Sequence, residues 1–425
     1  MRRSLPIVTP SSSQRYDCHL CGACCRAGFA VVVTDEERER IRGQGWESEP
    51  EFRGRPLFIR QIGGQHILAQ RDDGACLFLG EDQRCRIHAK FGAEGKPFAC
   101  RPYPFIFLPM SGQMRVGLRF DCPSVAASRG RPLAQHHADL AALSPQAVPA
   151  AAAALPPPPF RPGIHLDWHD LFRVSAALDR IVAAESLDIT RRVLAWADVA
   201  GVLGGVKMDG LEGRALSEFL DRVVGNRLKR LPDDPLERKP LSGFVPPLFR
   251  QAVGLYGRLD RVSDTRVSPA GKLLRAGQRL AYSLRLLAGS GRMPRVRPGL
   301  PQVPFRAVER SFGVPSPEAA EVLTRYYRVK LGSLGFFGRA FYGWGYLEGL
   351  GALLLTYPLI LWYARLFAIG EGTDAISAET VQQAVRVVDR PRGVAVPLGL
   401  RTERARVRFL CDHENLTRLI IWYGS

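Results

Sequence analysis

Between residues 18 and 25 the chain reads Cys18-His19-Leu20-Cys21-Gly22-Ala23-Cys24-Cys25. This stretch places four thiols within eight positions. Four further cysteines come before residue 123, and they are Cys76, Cys85, Cys100 and Cys122. The ninth, Cys411, stands alone near the end of the sequence. Thiolates are ligands for metals, and several of them close together need a cation to offset their charge. The first third of the chain is therefore predicted to hold metal.

The spacing within the stretch indicates how the sulfurs could converge. Cysteines at every third position let one turn of loop present several thiols to one side, and Gly22 allows the tight backbone that such a loop requires. Cys24 and Cys25 are adjacent, and consecutive side chains usually point apart. We therefore do not expect these two to share a single metal ion.

All eight clustered cysteines are predicted metal ligands, and two arrangements account for them. They form either two four-sulfur sites or one such site with additional structural thiols. Iron–sulfur clusters and tetrahedral zinc both accept four cysteines. A single run with two-residue spacing favours an iron–sulfur cluster, most simply 4Fe–4S, because zinc ribbons usually pair two separated knuckles. Zinc remains the alternative.

A predicted hairpin links two of the isolated cysteines. Apolar residues 105–108 and 114–118 flank a turn at Ser111-Gly112. Cys100 and Cys122 lie at nearly equal distances along the chain from this turn. The hairpin would thus bring them almost opposite one another, which is a reason independent of the motif to place both at one site.

The composition is that of a globular protein. The chain has 425 residues, 46% hydrophobic and 24% charged, so more than one core is expected. The formal charge of +18 would suit nucleic acid, anionic lipid or an acidic protein partner, but no aromatic-interleaved basic motif points to nucleic acid. No secretory signal precedes Asp17, so a cytoplasmic protein with reduced thiols is expected.

The fold class predicted from these patterns is α+β, with three segments. Residues 1–130 form the cysteine-cluster domain, residues 131–164 an Ala/Pro-rich linker, and residues 165–425 a mostly helical domain. Prolines 156–159 favour a semi-rigid spacer, and no helix is expected over 143–163. In the first domain we expect a strand over 29–33, a helix opened by a capping box at Thr34, and a hairpin at Gly63-Gly64. The helices expected later are 167–184, 188–201, 214–224, 269–287, 317–331 and 378–388.

The most apolar stretch runs from Gly349 to Ala364 without a charge. A membrane-spanning helix needs about 20 predominantly apolar residues, and Pro358 interrupts this one. A buried core helix is the favoured interpretation, and membrane association is the less favoured alternative.

The cysteine pattern as a whole resembles a known family. The matching motifs are Cys18-x-x-Cys21-Gly22-x-Cys24-Cys25, Cys76-x-Phe78-Leu79, Cys85-Arg86-Ile87-His88 and Lys96-Pro97-x-x-Cys100-Arg101-Pro102-Tyr103-Pro104. Together they resemble the YkgJ-type cysteine-cluster family, a zinc- or iron-chelating domain. The resemblance implies metal chelation within residues 18–122. His88 is not expected to be a ligand, and Arg101 either offsets cluster charge or lies on the surface.

A weaker similarity links residues 85–104 and the overall length to flagellin lysine-N-methylases. This second resemblance implies a protein lysine methyltransferase that uses S-adenosylmethionine and carries an accessory iron–sulfur cluster. The sequence contains no P-loop, no GxGxxG after a strand, no HExxH and no GxSxG. It therefore names neither catalytic residues nor a substrate, and whether the protein is an enzyme stays open.

Overall fold

The computed structural model describes residues 5–10, 12–61, 63–230, 236–259 and 268–425. It contains 51% helix and 9% strand, and the strands lie in the N-terminal part. Contacts divide the chain into two units. The cysteine unit comprises Asp17–Phe105 and Leu259–Gln278, and the helical unit comprises Met1–Tyr16, Ile106–Arg258 and Arg279–Ser425. The expected mixture of a small sheet region and a helical C-terminal part is thus confirmed.

The cysteine unit contains a three-stranded antiparallel sheet and two helices within residues 17–105. In chain order its elements are β3 (Val32–Val33), α1 (Asp35–Arg42), β4 (Phe58–Arg60), β5 (His66–Leu68) and α2 (Arg86–Phe91). The strand order is β3-β5-β4. The predicted hairpin joins β4 to β5, and Gly63 and Gly64 both take positive φ, as a tight turn requires.

The capping box at Thr34 is confirmed and begins α1. The hydroxyl of Thr34 accepts a hydrogen bond from the Glu37 amide at 3.2 Å, and the Glu37 carboxylate accepts one from the Thr34 amide at 3.0 Å. The core beside α1 is aromatic. Trp46 contacts Phe52 and Phe78 at centroid distances of 5.3 and 5.4 Å. Cys76 and Cys85 pack against this core, which fixes where their thiols lie.

Two small sheets belong to the N-terminal part of the helical unit. Their strands are β1 (Ile7–Val8), β2 (Arg15–Tyr16), β6 (Phe105–Met110), β7 (Gln113–Leu118) and β8 (Arg131–Pro132). The first sheet has the order β1-β7-β6, with β1 parallel to β7, and β2 pairs with β8. The turn between β6 and β7 falls at Ser111-Gly112 as predicted, with φ of +49° and +70°.

Helices make up the rest of the chain. They are α3 (Pro123–Ala126), α4 (His137–Ala147), α5 (Trp168–Val182), α6 (Ile189–Gly205), α7 (Gly213–Arg230), α8 (Val245–Gly257), α9 (Pro269–Ala288), α10 (Phe305–Val308), α11 (Pro317–Ser333), α12 (Tyr346–Leu354), α13 (Thr356–Gly370), α14 (Ala378–Asp389), α15 (Arg401–Leu410) and α16 (His413–Gly424). All six helices expected from the sequence are present. Ser316 caps α11 by accepting from the Ala319 amide at 3.2 Å.

The Ala/Pro-rich segment differs from its prediction. Helix α4 reaches Ala147 and includes Pro145, so the expectation of no helix is wrong for residues 143–147. Proline cannot donate to the Ala141 carbonyl, but the Ser144 hydroxyl does so at 3.4 Å. Further on, Pro159 accepts a hydrogen bond from the Tyr346 amide at 2.9 Å. The predicted domain borders at residues 130 and 164 remain predictions.

The apolar stretch forms α12 and α13, and almost every side chain in it is buried. The buried position favoured from the sequence is the one observed. Residues 346–370 are long and apolar enough to cross a membrane, and 94% of their most apolar window is buried inside the protein. The helix is interrupted at Leu355, so Pro358 lies in the first turn of α13. An amide in the first turn has no partner within the helix, and the missing N–H of proline therefore costs no hydrogen bond there.

Candidate metal centre

The loop from residue 18 to residue 27 brings the first thiols to the site. The Arg26 amide donates to the Gly22 carbonyl at 3.1 Å, and the Ala27 amide donates to the Cys24 carbonyl at 3.2 Å. Gly22 has a φ of +65°, and a Cβ there would lie 2.6 Å from the Gln83 carbonyl oxygen. Only glycine accommodates both the positive φ and the close approach of this carbonyl oxygen, which confirms that the loop needs glycine here.

Two further segments meet this loop through their main chains. The Cys76 amide donates to the Cys25 carbonyl at 2.8 Å. Cys85 forms a β-bridge with Leu79 and precedes the first residue of α2. These contacts hold Cys76 and Cys85 beside Cys25, although nine or more residues separate them in sequence.

Cys100 comes from the proline-rich segment. It ends a short 3₁₀ turn that begins at Phe98, and its amide donates to the Pro97 carbonyl at 3.0 Å. The Phe98 amide in turn donates to the Glu37 carboxylate of α1 at 2.5 Å. Prolines leave this segment few conformations, and the link to α1 positions the one that is adopted.

Five thiols interact at this point, and Cys25 is central among them. Its thiol hydrogen-bonds to those of Cys24 and Cys85, and the charges of Cys76 and Cys85 also act on Cys100. Cys24 and Cys25 both lie in a run of consecutive turn residues, and the expectation that they do not share a single metal ion stays a prediction.

The five thiols differ in their pKa values, and the hydrogen bonds of Cys25 cause part of the difference. The Cys25 thiol, as donor, lowers the pKa of Cys85 to about 6, and the main-chain amides of Ile87 and His88 act in the same direction. It likewise lowers the pKa of Cys24 to about 7, with help from the Lys96 ammonium. The hydrogen-bond interactions with Cys24 and Cys85 favour the protonated form of Cys25 and so raise its pKa. Together these interactions favour the thiolate at Cys24 and Cys85 and the thiol at Cys25.

The remaining two thiols of the group are shielded from water. Burial raises the pKa of Cys76 to about 12, and burial also raises the pKa of Cys100. Burial disfavours the thiolate because a charge loses its hydration there. A cation at this site would restore that lost stabilisation, and both thiols would then lose their protons to solution.

The other predicted ligands are Cys18, Cys21 and Cys122, and their participation stays a prediction. Cys18 and Cys21 are exposed, as Cys24 is. Cys122 is buried in the helical unit, where it precedes α3. Its predicted position opposite Cys100 therefore stays a prediction.

The cation beside the thiols is Lys96, which the sequence analysis did not identify. Lys96 acts on Cys24, Cys85 and Cys100. Arg101, the residue considered for this role, pairs with Glu94 at 2.7 Å and lies 5.6 Å from the Phe98 ring. The Lys96-Pro97 step of the motif was the signal available, since proline fixes the chain immediately after the lysine.

The donor chemistry of the five thiols fits a thiophilic metal. Among the residues that the structure describes, no set of three or more His, Cys, Asp or Glu side chains already stands in metal-binding geometry. A metal bound by these thiols would therefore require side-chain rotations of the cysteines, each about its single torsion to the sulfur.

Comparison with known proteins finds a family model that matches the same part of the chain. Residues 17–122 match the family model CxxCxxCC, described as "Putative zinc- or iron-chelating domain". The match includes all eight predicted ligands and agrees with the resemblance to YkgJ-type proteins. No curated protein and no solved structure matches the chain. Residues 17–122 are thus similar to the CxxCxxCC family, whose model is described as a zinc- or iron-chelating domain.

Proposed function

We propose that the cysteine unit binds an iron–sulfur cluster of the 4Fe–4S type, in the reducing environment of the cytoplasm. The observation that supports this most is the meeting of five thiols, from four separate segments, around Cys25. A 4Fe–4S cluster takes four cysteine ligands, so the group is large enough to supply them all. Cys18, Cys21 and Cys122 are proposed as additional or alternative ligands.

The surroundings of the group suit a cluster that carries negative charge. The Lys96 ammonium and the amides of Ile87 and His88 are directed at the sulfurs of Cys24 and Cys85. Hydrogen bonds to sulfur and nearby cations stabilise the reduced state of iron–sulfur clusters and adjust their potential. Zinc would use the same ligands, and it is the alternative that the experiment below distinguishes.

The residues of this chain would perform three tasks. Cys24 and Cys85 present thiolates at neutral pH, Lys96 offsets their charge, and Cys76 and Cys100 release protons when the metal binds. A bound iron–sulfur cluster supplies one-electron transfer, and either metal adds folding free energy to the unit. The alternative of a lysine methyltransferase receives no support from the comparisons.

The test is anaerobic purification of the full chain, followed by iron, sulfide and zinc analysis and visible spectroscopy. About four iron and four sulfide per chain, with a broad brown absorption, would support the proposal. A colourless protein with stoichiometric zinc would overturn the iron–sulfur assignment and leave the chelating function. Protein without either metal, after reconstitution with both, would contradict the function itself.

A matched pair of variants tests which thiols are responsible. Cys25→Ala removes the central thiol, whereas Cys411→Ala removes a cysteine that lies in the helical unit, outside the matched span. We expect Cys25→Ala to lose most of the bound metal and Cys411→Ala to retain it. Equal metal content in the two variants would show that the group around Cys25 is not the site.

A further inference from the structure

The helical unit contains a cavity of about 700 Å³, and all the residues that line it belong to this unit. Its walls come from β6, residues 155–158 of the Ala/Pro-rich segment, the loop after α11 and the end of α14. Pockets that bind small organic molecules usually have volumes of about 300–1,000 Å³. The cavity is therefore large enough for a ligand, and neither the family match nor the proposed metal site assigns it one.

Many of the lining residues are apolar. Phe107, Leu108, Phe337 and the prolines at 156–158 line the cavity, together with the half-buried indole of Trp168. Trp168 is held in place by its Nε1–H, which donates to the Leu155 carbonyl at 3.1 Å, and by the Phe337 ring at 6.2 Å. A rigid apolar wall of this kind binds hydrocarbon by removing it from water.

Other lining residues are charged, and polar contacts within the protein hold them. The Lys330 ammonium lies 2.6 Å from Asp389 Oδ1 and donates to the Leu118 carbonyl at 3.0 Å. Arg392 donates to the Ala352 carbonyl at 2.9 Å. Arg119 pairs with Asp121 at 3.2 Å. These contacts fix the cations in position before any ligand arrives.

The charges of the lining do not balance. Its ionised side chains are Arg119, Lys330, Arg339, Arg392 and Asp389, so four cations face one carboxylate. The two oxygens of Asp389 are already engaged, one by Lys330 and the other by the Phe120 amide at 2.7 Å. Even with Asp121 counted beside Arg119, the positive charge is in excess. An anion is the ligand charge that these cations would stabilise.

We propose that the cavity binds a single-chain amphiphile with an anionic head group, a carboxylate or a phosphate monoester. The hydrocarbon chain lies against Trp168 and the prolines, and the head group lies near Arg119, Arg339 and Arg392. The same charge excess disfavours a ligand with a cationic centre, such as the sulfonium of S-adenosylmethionine.

Isothermal titration of the full-length, metal-loaded protein tests the proposal with four probes that share a ten-carbon chain: decanoate, decyl phosphate, decanol and decyltrimethylammonium. Changes in tryptophan fluorescence that disappear in Trp168→Phe report binding at this cavity. We expect at least one of the two anions to bind about tenfold or more tightly than decanol, and the cation not to bind. Whichever anion is preferred identifies the head group. Decanol binding as tightly as both anions, or preferential binding of the cation or of S-adenosylmethionine, would overturn the proposal.

Two charge reversals on exposed arginines show whether the anion is attracted by the cavity or by the net charge of the protein. Arg339 lies at the cavity and Arg401 begins α15 outside its lining, and both are exposed, so neither substitution should disturb packing. We expect Arg339→Glu to weaken anion binding about five- to tenfold and Arg401→Glu to change it less than about twofold. Equal effects of the two reversals would mean that net charge, and not this cavity, attracts the anion.

Discussion

The buried pair of Lys330 and Asp389 allows a quantitative test of how the helical unit is held together. Lys330 Nζ lies 2.6 Å from Asp389 Oδ1, and both residues are buried. Burial acts to raise the pKa of Asp389, but the charges of Lys330 and Arg119 outweigh it and hold this pKa below its usual value. Burial lowers the pKa of Lys330 while Asp389 acts to raise it, so each charge of the pair depends on the other. We consider the substitutions Lys330→Met and Asp389→Leu, singly and together.

Each single substitution leaves one buried charge without its partner. Such losses cost about 3–5 kcal/mol of unfolding free energy, so independent effects would sum to about 6–10 kcal/mol. The double variant buries no unpaired charge from this pair. It leaves the Phe120 amide, the Tyr326 hydroxyl and the Leu118 carbonyl without the partners they had, at about 1–3 kcal/mol each. We therefore expect a coupling energy of about 2 kcal/mol.

The assay is urea unfolding of the four proteins, followed by far-UV circular dichroism, with the slopes compared as well as the midpoints. The double variant should lose about 2 kcal/mol less than the sum of the two single losses. Losses that add to within about 0.5 kcal/mol would refute the reasoning, because sites that do not interact behave in that way. An unchanged stability of Asp389→Leu would refute it equally.

Two further predictions concern packing and thiol chemistry. In α12 a Cβ at Gly349 would lie 2.1 Å from the Phe336 carbonyl oxygen, whereas a Cβ at Gly225 in α7 would meet nothing within 4 Å. Gly349→Ala should therefore lower the free energy of unfolding by about 1–3 kcal/mol, measured by urea unfolding. Gly225→Ala should raise it by about 0.5–1 kcal/mol. A higher free energy of unfolding in both variants would contradict this reasoning. In metal-free protein, alkylation of Cys85 should persist as the pH falls and stop below about 6, because its lowered pKa preserves the thiolate down to that pH. Cys411, whose pKa burial raises, should react only in alkaline solution, and peptide mass mapping showing the opposite order would count against the assignment.

Local signals in the sequence were sufficient for many of the elements. Thr34 and Ser316 mark helix starts because a side-chain oxygen can accept from an amide three residues later, and this needs no knowledge of the rest of the fold. The turns at Gly63-Gly64 and Ser111-Gly112 were equally local, since positive φ in consecutive residues strongly favours a tight hairpin. The presence of a thiol-rich metal domain followed from spacing alone.

Features made by distant residues could not be predicted in this way. Fifty-nine positions separate Lys330 from Asp389, and neither has a neighbour in sequence that would indicate the pair. The same holds for Lys96, whose effect on Cys24 depends on how the loop folds back. Pro145 was misleading for a related reason, because the Ser144 hydroxyl supplies the donor that proline lacks. Sequence patterns describe what a residue prefers, whereas tertiary contacts decide whether the preference is met.

The parallel pairing of β1 with β7 has a consequence for how the protein is made. Ile7 lies in register with Met114 and Val8 with Arg115, so the two strands are separated by all of residues 17–105. On a ribosome the first strand emerges early and must wait until the cysteine-rich segment has been synthesised before its partner exists. The thiols around Cys25 therefore leave the ribosome before β7 and before any of the helices α3–α16.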